Sequence, residues 1–234
     1  MPSPVLRAMQ GGLCARFEEV TRTTPEIQDS LISLLSEKVL AIPELGHQVA
    51  AQRGFNLIAT ANTRDRGVNE MSSALKRRFN FVTVPVVDDA EQELAIVTRR
   101  EAELRTDYLV GPPPPAELAR ILVTMFQELR AGVTRGGKTK LRAPSTTLST
   151  AEAISVLFSS GILAHGFSGG AAGPSGLART LVGALAKDGP DGVGVLREYV
   201  ETVAKGRGAA WKELHAAVRA LTGARAGGKD GQGA

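Results

Sequence analysis

The feature that most constrains the fold is the apolar segment 55–61, which ends on the amide side chain of Asn62. The segment is rich in Phe, Leu, Ile and Ala and does not alternate between apolar and polar residues. This pattern is typical of a central parallel strand that is buried on both faces. In open α/β sheets, polar groups just past the carboxyl end of such a strand face the ligand crevice. The segment therefore predicts a parallel sheet with Asn62 at the rim of a binding site.

A basic helix end follows in residues 75–79, Leu-Lys-Arg-Arg-Phe. Arg77 and Arg78 carry planar, permanently charged guanidinium groups that suit phosphate. Asn62 has amide donors and a carbonyl acceptor, so it can orient a water molecule or a phosphate oxygen. The alternative interpretation is that Asn62 caps a turn and the arginines lie on a solvated helix end. These residues alone leave both interpretations open.

Two adjacent carboxylates, Glu18 and Glu19, end another apolar segment, residues 13–20. A strand that ends in paired acids is typical of a Walker B site. In such a site the first carboxylate holds magnesium through water, and the second polarises the attacking water. The alternative is an acidic turn between a strand and the helix predicted from Pro25 to Lys38, behind a threonine cap.

The remainder of the first part of the chain is predicted from shorter signals. Residues 39–51 predict a hairpin with turn signals at Pro43 and Gly46. A polar loop at 63–69, a helix over 70–78 and a strand over 81–84 should follow. Residues 1–12 contain no recognisable complete element.

The second part of the chain is predicted to be helical. A charged amphipathic helix over 88–105 leads to a stiff proline linker at 111–115. The domain limits expected from this pattern are 1–105 for an α/β core, 116–222 for a helical domain and 223–234 for a disordered tail. The remaining helices are predicted over 116–130, 149–163, 175–187, 193–205 and 209–222.

Composition excludes several classes of function. No apolar run reaches the length of a membrane span, and the N-terminus lacks the apolar core of a signal peptide. The single cysteine, Cys14, fits a reducing cytoplasm and is expected to be buried in its strand. Three scattered histidines and one cysteine give no zinc site. The net charge of +4 is diffuse and aromatic residues are few, so nucleic acid is not expected as a partner.

Taken together, residues 16–38, 58–62 and 74–79 closely resemble MoxR-type AAA+ ATPases of the dynein-related group, and the resemblance extends over about residues 1–165. It implies that Glu18 and Glu19 occupy the Walker B positions, with Glu18 holding Mg²⁺ through water. It also implies that Asn62 is sensor 1 and Arg78 the arginine finger, with Arg77 as the second candidate.

The resemblance further implies an α/β fold class: a partial parallel-sheet AAA+ nucleotide-binding domain followed by an all-helical lid. The hairpin at 39–53 would be the insert that precedes sensor 1. The implied activity is hydrolysis of ATP with Mg²⁺, coupled to remodelling of a client or adaptor protein by a homo-oligomeric ring, expected to be a hexamer. The alternative is a non-catalytic interaction or oligomerisation module derived from such a domain.

Three departures from the family pattern qualify this expectation. Glu18 stands where the family usually has aspartate, and threonines stand where a sensor 2 arginine is expected, so Arg142 is only a nearby substitute. No Walker A loop precedes Glu18. Residues 132–139 match G-x-x-x-x-G-K-[ST], but a predicted helix precedes them and Pro144 follows, so a glycine-rich hairpin is expected there. The chain alone should therefore hydrolyse ATP poorly. A truncated gene and a true loss of the loop both remain open.

Overall fold

The computed structural model describes residues 2–42, 46–62, 71–144, 148–167, 169–170, 172–187 and 189–223. Contacts between residues divide the chain into two compact units, 1–84 and 85–234. The first unit is α/β and the second is helical. The division precedes the helix predicted over 88–105, which packs on other helices of the second unit. The domain limits expected from the sequence, 1–105, 116–222 and 223–234, stay a prediction.

The centre of the α/β unit is a parallel pair of strands, β1 (Cys14–Phe17) and β4 (Asn56–Ala59). Both form where the apolar segments predicted them. Ala15 and Leu57 are buried, whereas their neighbours Cys14 and Ile58 are exposed on the opposite side of the pair. The expectations of a strand buried on both faces and of a buried Cys14 are therefore wrong, because only one face of the pair is covered by the described residues.

The predicted hairpin is confirmed as an antiparallel pair, β2 (Val39–Ile42) and β3 (His47–Ala50). Gly46 has a φ of 62°, the left-handed conformation that glycine adopts without steric cost. The other turn residues, 43–45, lie outside the described residues.

The first twelve residues contain a helix that the sequence analysis missed, α1 (Pro4–Gly11). Ser3 caps it, since its hydroxyl accepts a hydrogen bond from the backbone N–H of Leu6 at 3.2 Å. Proline at the first helical position and a left-handed Gly12 after the last complete it. The expectation of no complete element is therefore wrong, although Ser-Pro at the start and Gly-Gly at the end carried the signal.

Two glycines allow the chain to cross itself closely before β1 and β4. A Cβ on Gly12 would lie 2.5 Å from the carbonyl oxygen of Arg53, and a Cβ on Gly54 would lie 2.9 Å from the carbonyl oxygen of Gly12. Both residues have positive φ, 62° and 99°. Glycine is therefore required at both positions by space as well as by conformation.

Two further helices, α2 (Pro25–Glu37) and α3 (Ser73–Lys76), pack against each other. α3 is shorter than the helix predicted over 70–78. The core that they share with α1 and the parallel pair includes Met9, Leu34, Leu57 and Leu75. The strand predicted over 81–84 is wrong, because these residues form no ladder with any described strand, and Phe81, Val82 and Val84 are exposed.

The helical unit confirms the six predicted helices, with bounds shifted by up to four residues. Its apolar core runs through all of them. No helix among the described residues is long and apolar enough to cross a lipid bilayer. The helices are α4 (Ala90–Asp107), α5 (Ala116–Ala131), α6 (Thr150–Phe167), α7 (Pro174–Ala186), α8 (Pro190–Thr202) and α9 (Ala209–Gly223).

Candidate functional site

Backbone pairing continues past the carboxyl ends of β1 and β4. The N–H of Thr60 donates to the carbonyl of Phe17, and the N–H of Val20 donates to the carbonyl of Thr60, both at 2.9 Å. Glu18 and Glu19 follow β1 directly, and Thr60 follows β4 directly. The structure therefore places the two carboxylates and this hydroxyl at one edge of the parallel pair, which we call the acidic edge (Glu18, Glu19 and Thr60).

Thr60 links both glutamates through a single hydroxyl group. Its Oγ1 donates to Oε2 of Glu18 at 2.5 Å and accepts from the backbone N–H of Glu19 at 3.0 Å. The sequence analysis did not single out Thr60. The available signal was a hydroxyl residue directly after an apolar strand, but its partners lie more than forty positions earlier in the chain.

The two carboxylates are accessible, and each has an arginine neighbour. Oε1 of Glu18 lies 2.7 Å from Nε of Arg16, and Oε2 of Glu19 lies 2.7 Å from Nε of Arg22. About half of each carboxylate side chain is exposed, 51% and 54%. Exposed pairs of this kind contribute only about 0–1 kcal/mol. A metal ion or a substrate can therefore displace the arginines at little cost.

Glu19 also has an unusual backbone conformation, with φ 53° and ψ 49°. This left-handed region costs a non-glycine residue about 1–3 kcal/mol, and such positions cluster at functional sites. Glu19 precedes a 3₁₀ turn, Val20–Arg22, that leads to α2. The turn sets where the second carboxylate stands relative to the first.

Asn62 lies two residues beyond Thr60 and is exposed. It therefore leaves the sheet at the same carboxyl edge as the two glutamates, as the sequence analysis expected. Its role as sensor 1 stays a prediction. The polar loop predicted at 63–69 lies outside the described residues.

Arg77 and Arg78 follow α3, and both are exposed. Nε of Arg78 donates to Oγ of Ser36 at 2.7 Å, and Nη1 donates to the carbonyl of Ala74 at 2.6 Å. A guanidinium has five N–H donors, so three of them are left for another ligand. Arg78 is thus anchored on α2 and α3 at the surface of the α/β unit.

Arg142 belongs to the helical unit and forms an ion pair with Asp191 in the first turn of α8. Both side chains are about half exposed. The geometry gives Arg142 a partner within its own unit, and its predicted role as sensor 2 remains untested.

The sequence that matches a phosphate-binding loop, residues 132–139, forms a glycine-rich hairpin. Gly132 ends α5 in the left-handed conformation, Val133 bridges Lys140, and the N–H of Thr134 donates to the carbonyl of Thr139 at 3.0 Å. A phosphate loop must leave a strand and open a helix. Here a helix precedes the hairpin, and no helix begins in the described residues up to 144. The interpretation of this match as a hairpin is confirmed.

The acidic edge suits magnesium by the chemistry of its donors. Mg²⁺ binds oxygen and, at nucleotide sites, is held by one or two carboxylates together with water and phosphate oxygens. Glu18 and Glu19 can supply these carboxylate ligands. Among the described residues no group of three or more His, Cys, Asp or Glu side chains could hold a metal ion by itself. Any metal bound at this edge would therefore need oxygens from water or from a nucleotide.

Among the described residues of the helical unit, the carboxylates of Glu93, Glu101 and Glu128 are buried, and the sequence analysis singled out none of them. The side chain of Glu128 is 1% exposed and accepts from Oη of Tyr199 and from Nη2 of Arg207, both at 2.6 Å. Glu93 is fully buried and accepts from Arg130, from Gln127 and from the hydroxyl of Thr150. Both carboxylates lie on helices whose charges suggested a solvated face.

Burial also changes the proton affinity of the groups around Glu128. Burial first, and then the hydrogen bond to Glu128, raise the pKa of Tyr199 well above its usual value of 10. Burial lowers the pKa of Arg207, but its bond to Glu128 and the neighbouring Tyr199 outweigh this effect and raise it overall. Tyr199 thus stays a donor and Arg207 stays charged, as a structural network requires.

Two family patterns match the chain. The AAA domain of the dynein-related subfamily matches residues 1–79, and the YehL-like AAA+ ATPase C-terminal domain matches residues 89–222. The two matches meet between residues 79 and 89, where the contacts also divide the structure.

Three similar proteins have names that describe them as uncharacterized. Uncharacterized protein YehL of Escherichia coli strain K12 is 41% identical over 218 residues, which cover 92% of this chain and 59% of YehL. Uncharacterized protein SSP1341 of Staphylococcus saprophyticus is 32% identical over 108 residues, 46% of this chain and 40% of that protein. Uncharacterized protein SH1500 of Staphylococcus haemolyticus is 31% identical with the same coverage. The chain thus spans about three-fifths of YehL and two-fifths of the staphylococcal proteins.

Proposed function

The chain belongs to the family of YehL-like AAA+ ATPase C-terminal domains, and from this premise we propose that it is an ATPase module that supplies the catalytic carboxylates of an ATP site. The dynein-related AAA match implies nucleotide binding, typically with Mg²⁺, and suggests oligomerisation. The observation that carries the proposal is the acidic edge, where two accessible carboxylates and a hydroxyl meet at the carboxyl end of a parallel strand pair.

Glu18, Glu19 and Asn62 have distinct roles in this proposal. Glu18 holds Mg²⁺ through water, as its exposed carboxylate and oxygen donors permit. Glu19 polarises the attacking water, and Asn62 orients that water near the γ-phosphate. ATP with Mg²⁺ supplies the phosphoryl chemistry, and the chain supplies position and charge.

Arg78 acts on the nucleotide of a neighbouring subunit, with Arg77 as the second candidate. Exposure at the surface and three unused donors support this role. Arginine fingers of this kind contribute about 10³–10⁵ in rate. The proposal therefore includes a ring, expected to be a hexamer. We further propose that the chain is of the MoxR subtype and that its helical unit is the lid, with Arg142 as a substitute for sensor 2. The proposed location is the cytoplasm, and the proposed activity is remodelling of a client or adaptor protein.

Hydrolysis by the purified 234-residue chain should be slow. The hairpin at 132–139 does not provide a phosphate cradle, and no other described strand leads through such a loop into a helix. ATP turnover by the purified chain that is abolished by Glu19→Gln would overturn this part of the proposal.

Thermal unfolding with ATP tests the proposal directly. We expect millimolar ATP with Mg²⁺ to raise the unfolding temperature of the α/β unit by about 6–11 °C, since a ligand at ten times its Kd adds about 1.4 kcal/mol. The shift should vanish with EDTA and diminish in Glu18→Gln. Glu117→Gln is the control for the helical unit, because Glu117 is exposed on α5 and has no role in the proposed ATP site.

A second candidate function is a non-catalytic interaction module. It is favoured by the exposed apolar side chains of Phe81, Val82 and Val84, since exposed apolar patches mark interaction sites. On this alternative, millimolar ATP gives no magnesium-dependent shift, whereas Val82→Asp disrupts association with a partner.

A further inference from the structure

We propose that Thr60 is a positioning residue for the acidic edge, and that its hydroxyl fixes the Glu18 side chain and the Glu19 backbone together. This inference rests on the proposed ATPase function and deepens it. It assigns a role to a residue that was not among the candidates drawn from sequence.

The hydroxyl of Thr60 acts as a hydrogen-bond donor and as an acceptor at the same time. A hydroxyl has one donor and two acceptor positions. Thr60 donates to Oε2 of Glu18 and accepts from the N–H of Glu19. The backbone of Thr60 is held on both sides by Phe17 and Val20. The backbone hydrogen bonds therefore fix the hydroxyl in place, and its own hydrogen bonds orient the Glu18 side chain and the Glu19 backbone.

The hydrogen bond from Thr60 restricts the conformation of the Glu18 side chain. A glutamate side chain has one more methylene and one more rotatable bond than an aspartate side chain. A free glutamate would place its carboxylate in several positions. The bond from Thr60, together with Arg16 on the other oxygen, selects one of them.

Thr60 acts on Glu19 through the backbone rather than through the side chain. The left-handed backbone of Glu19 is unfavourable for a non-glycine residue. The bond from its N–H to Thr60 Oγ1 stabilises that conformation and thus the direction in which the second carboxylate leaves the chain. One hydroxyl therefore controls the two groups that the proposed reaction needs.

Amide hydrogen exchange of the 234-residue chain tests the geometry without any catalysis. In Thr60→Val the Glu19 N–H loses its acceptor, so its protection should fall by about fivefold or more. The Val20 N–H, which donates to the Thr60 backbone, should keep its protection and so reports that the fold is intact. Thr60→Ser should protect both amides. Equal protection of Glu19 in Thr60→Val and in the wild type would overturn the proposed geometry.

The magnesium dependence of the ATP-induced thermal shift tests the positioning role. Loss of an orienting partner typically costs 10–100-fold in metal affinity. We expect Thr60→Val to weaken the apparent affinity for Mg²⁺ about tenfold and Thr60→Ser to restore it. The control is Thr21→Val, which removes a buried hydroxyl that has no hydrogen-bond partner within the described chain.

The outcomes separate the two proposals. A wild-type shift with an unchanged Mg²⁺ affinity in Thr60→Val overturns the positioning role and leaves the ATPase proposal standing. No magnesium-dependent shift in the wild type overturns both, while the protection of Glu19 still reports whether the hydrogen bond exists.

Discussion

The acidic residues of the two units are placed in opposite ways. In the α/β unit, Glu18 and Glu19 are half exposed, and each forms one ion pair with an arginine. In the helical unit, Glu93 and Glu128 are almost completely buried and accept several hydrogen bonds each. The same carboxylate group therefore occurs in two different environments within one chain.

Burial decides which purpose a carboxylate can serve. Breaking a buried pair leaves an uncompensated charge and costs about 3–5 kcal/mol, whereas an exposed pair contributes about 0–1 kcal/mol. The buried carboxylates are thus committed to the fold of the helical unit. The exposed ones can exchange partners, which a site for Mg²⁺ and phosphate requires.

The largest expected effect on stability comes from a buried carboxylate of the helical unit. Glu128→Ala should lower the free energy of unfolding of the helical unit by about 3–5 kcal/mol, because it leaves the Arg207 charge and the Tyr199 hydroxyl without their partner. Urea unfolding monitored by circular dichroism measures it. Glu117→Ala, at an exposed position on the same helix, is the control and should cost less than about 1 kcal/mol. Equal losses of unfolding free energy in both variants would contradict the distinction between buried and exposed carboxylates.

The α/β unit should instead be sensitive to backbone contacts. Gly12→Ala should destabilise it by about 3 kcal/mol or more, since the new methyl group would meet the Arg53 carbonyl oxygen at 2.5 Å in a left-handed backbone. Gly46→Ala has the same φ, and among the described residues no atom would lie within 4 Å of the new Cβ, so it should cost only about 1–2 kcal/mol. Thermal unfolding of the two variants compares strain with and without a clash, and a similar loss in both would refute the close approach.

A smaller, pH-dependent effect is expected from Glu101, whose side chain is 3% exposed. Burial raises its pKa above 4.5, although the nearby Arg105 partly opposes this. The folded state therefore favours the protonated carboxyl. Its stabilising contribution is complete below pH 4.5 and is lost as the pH rises through the folded pKa.

Unfolding of the helical unit between pH 4 and pH 7 tests this sign. The wild type should lose stability relative to Glu101→Gln as the pH rises, because glutamine does not ionise. A difference that grows in the opposite direction would show that Arg105 dominates over burial.

The smallest effect on stability is expected at the acidic edge. Glu19→Gln should change the free energy of unfolding by less than about 0.5 kcal/mol, because it disrupts only an exposed pair with Arg22. In any preparation that turns over ATP, the same variant should lower the rate by about 10²–10⁴. A large loss of stability would mean that Glu19 is structural, and the contrast between the units would fail.

Local patterns in the sequence predicted most elements of this fold. The apolar segments predicted β1 and β4, the proline and glycine signals predicted the hairpin, and helical spacing predicted α4 to α9. The strand expected over 81–84 failed because strand formation needs a partner strand, and the apolar residues of this segment cannot show whether one is present. The helix at the N-terminus was missed because its only local signals are the short capping sequences at its two ends.

Contacts between distant positions could not be predicted in the same way. Thr60 meets Glu18 across 42 positions, and Glu128 meets Arg207 across 79. A charged residue on an amphipathic helix is expected to face solvent, so the burial of Glu93 and Glu128 had no local signal. The candidate residues Glu18, Glu19 and Asn62 were found because they follow strands, whereas the hydroxyl that connects two of them follows only from the paired structure.

The most direct test is a titration of the isotope-labelled chain with ATP and Mg²⁺, followed by the backbone amide resonances. The account predicts magnesium-dependent shifts of residues 18–20 and 60–62, with no comparable change around the buried Glu128. Shifts confined to the helical unit, or no shifts at millimolar ATP, would contradict the assignment of the acidic edge as a nucleotide site.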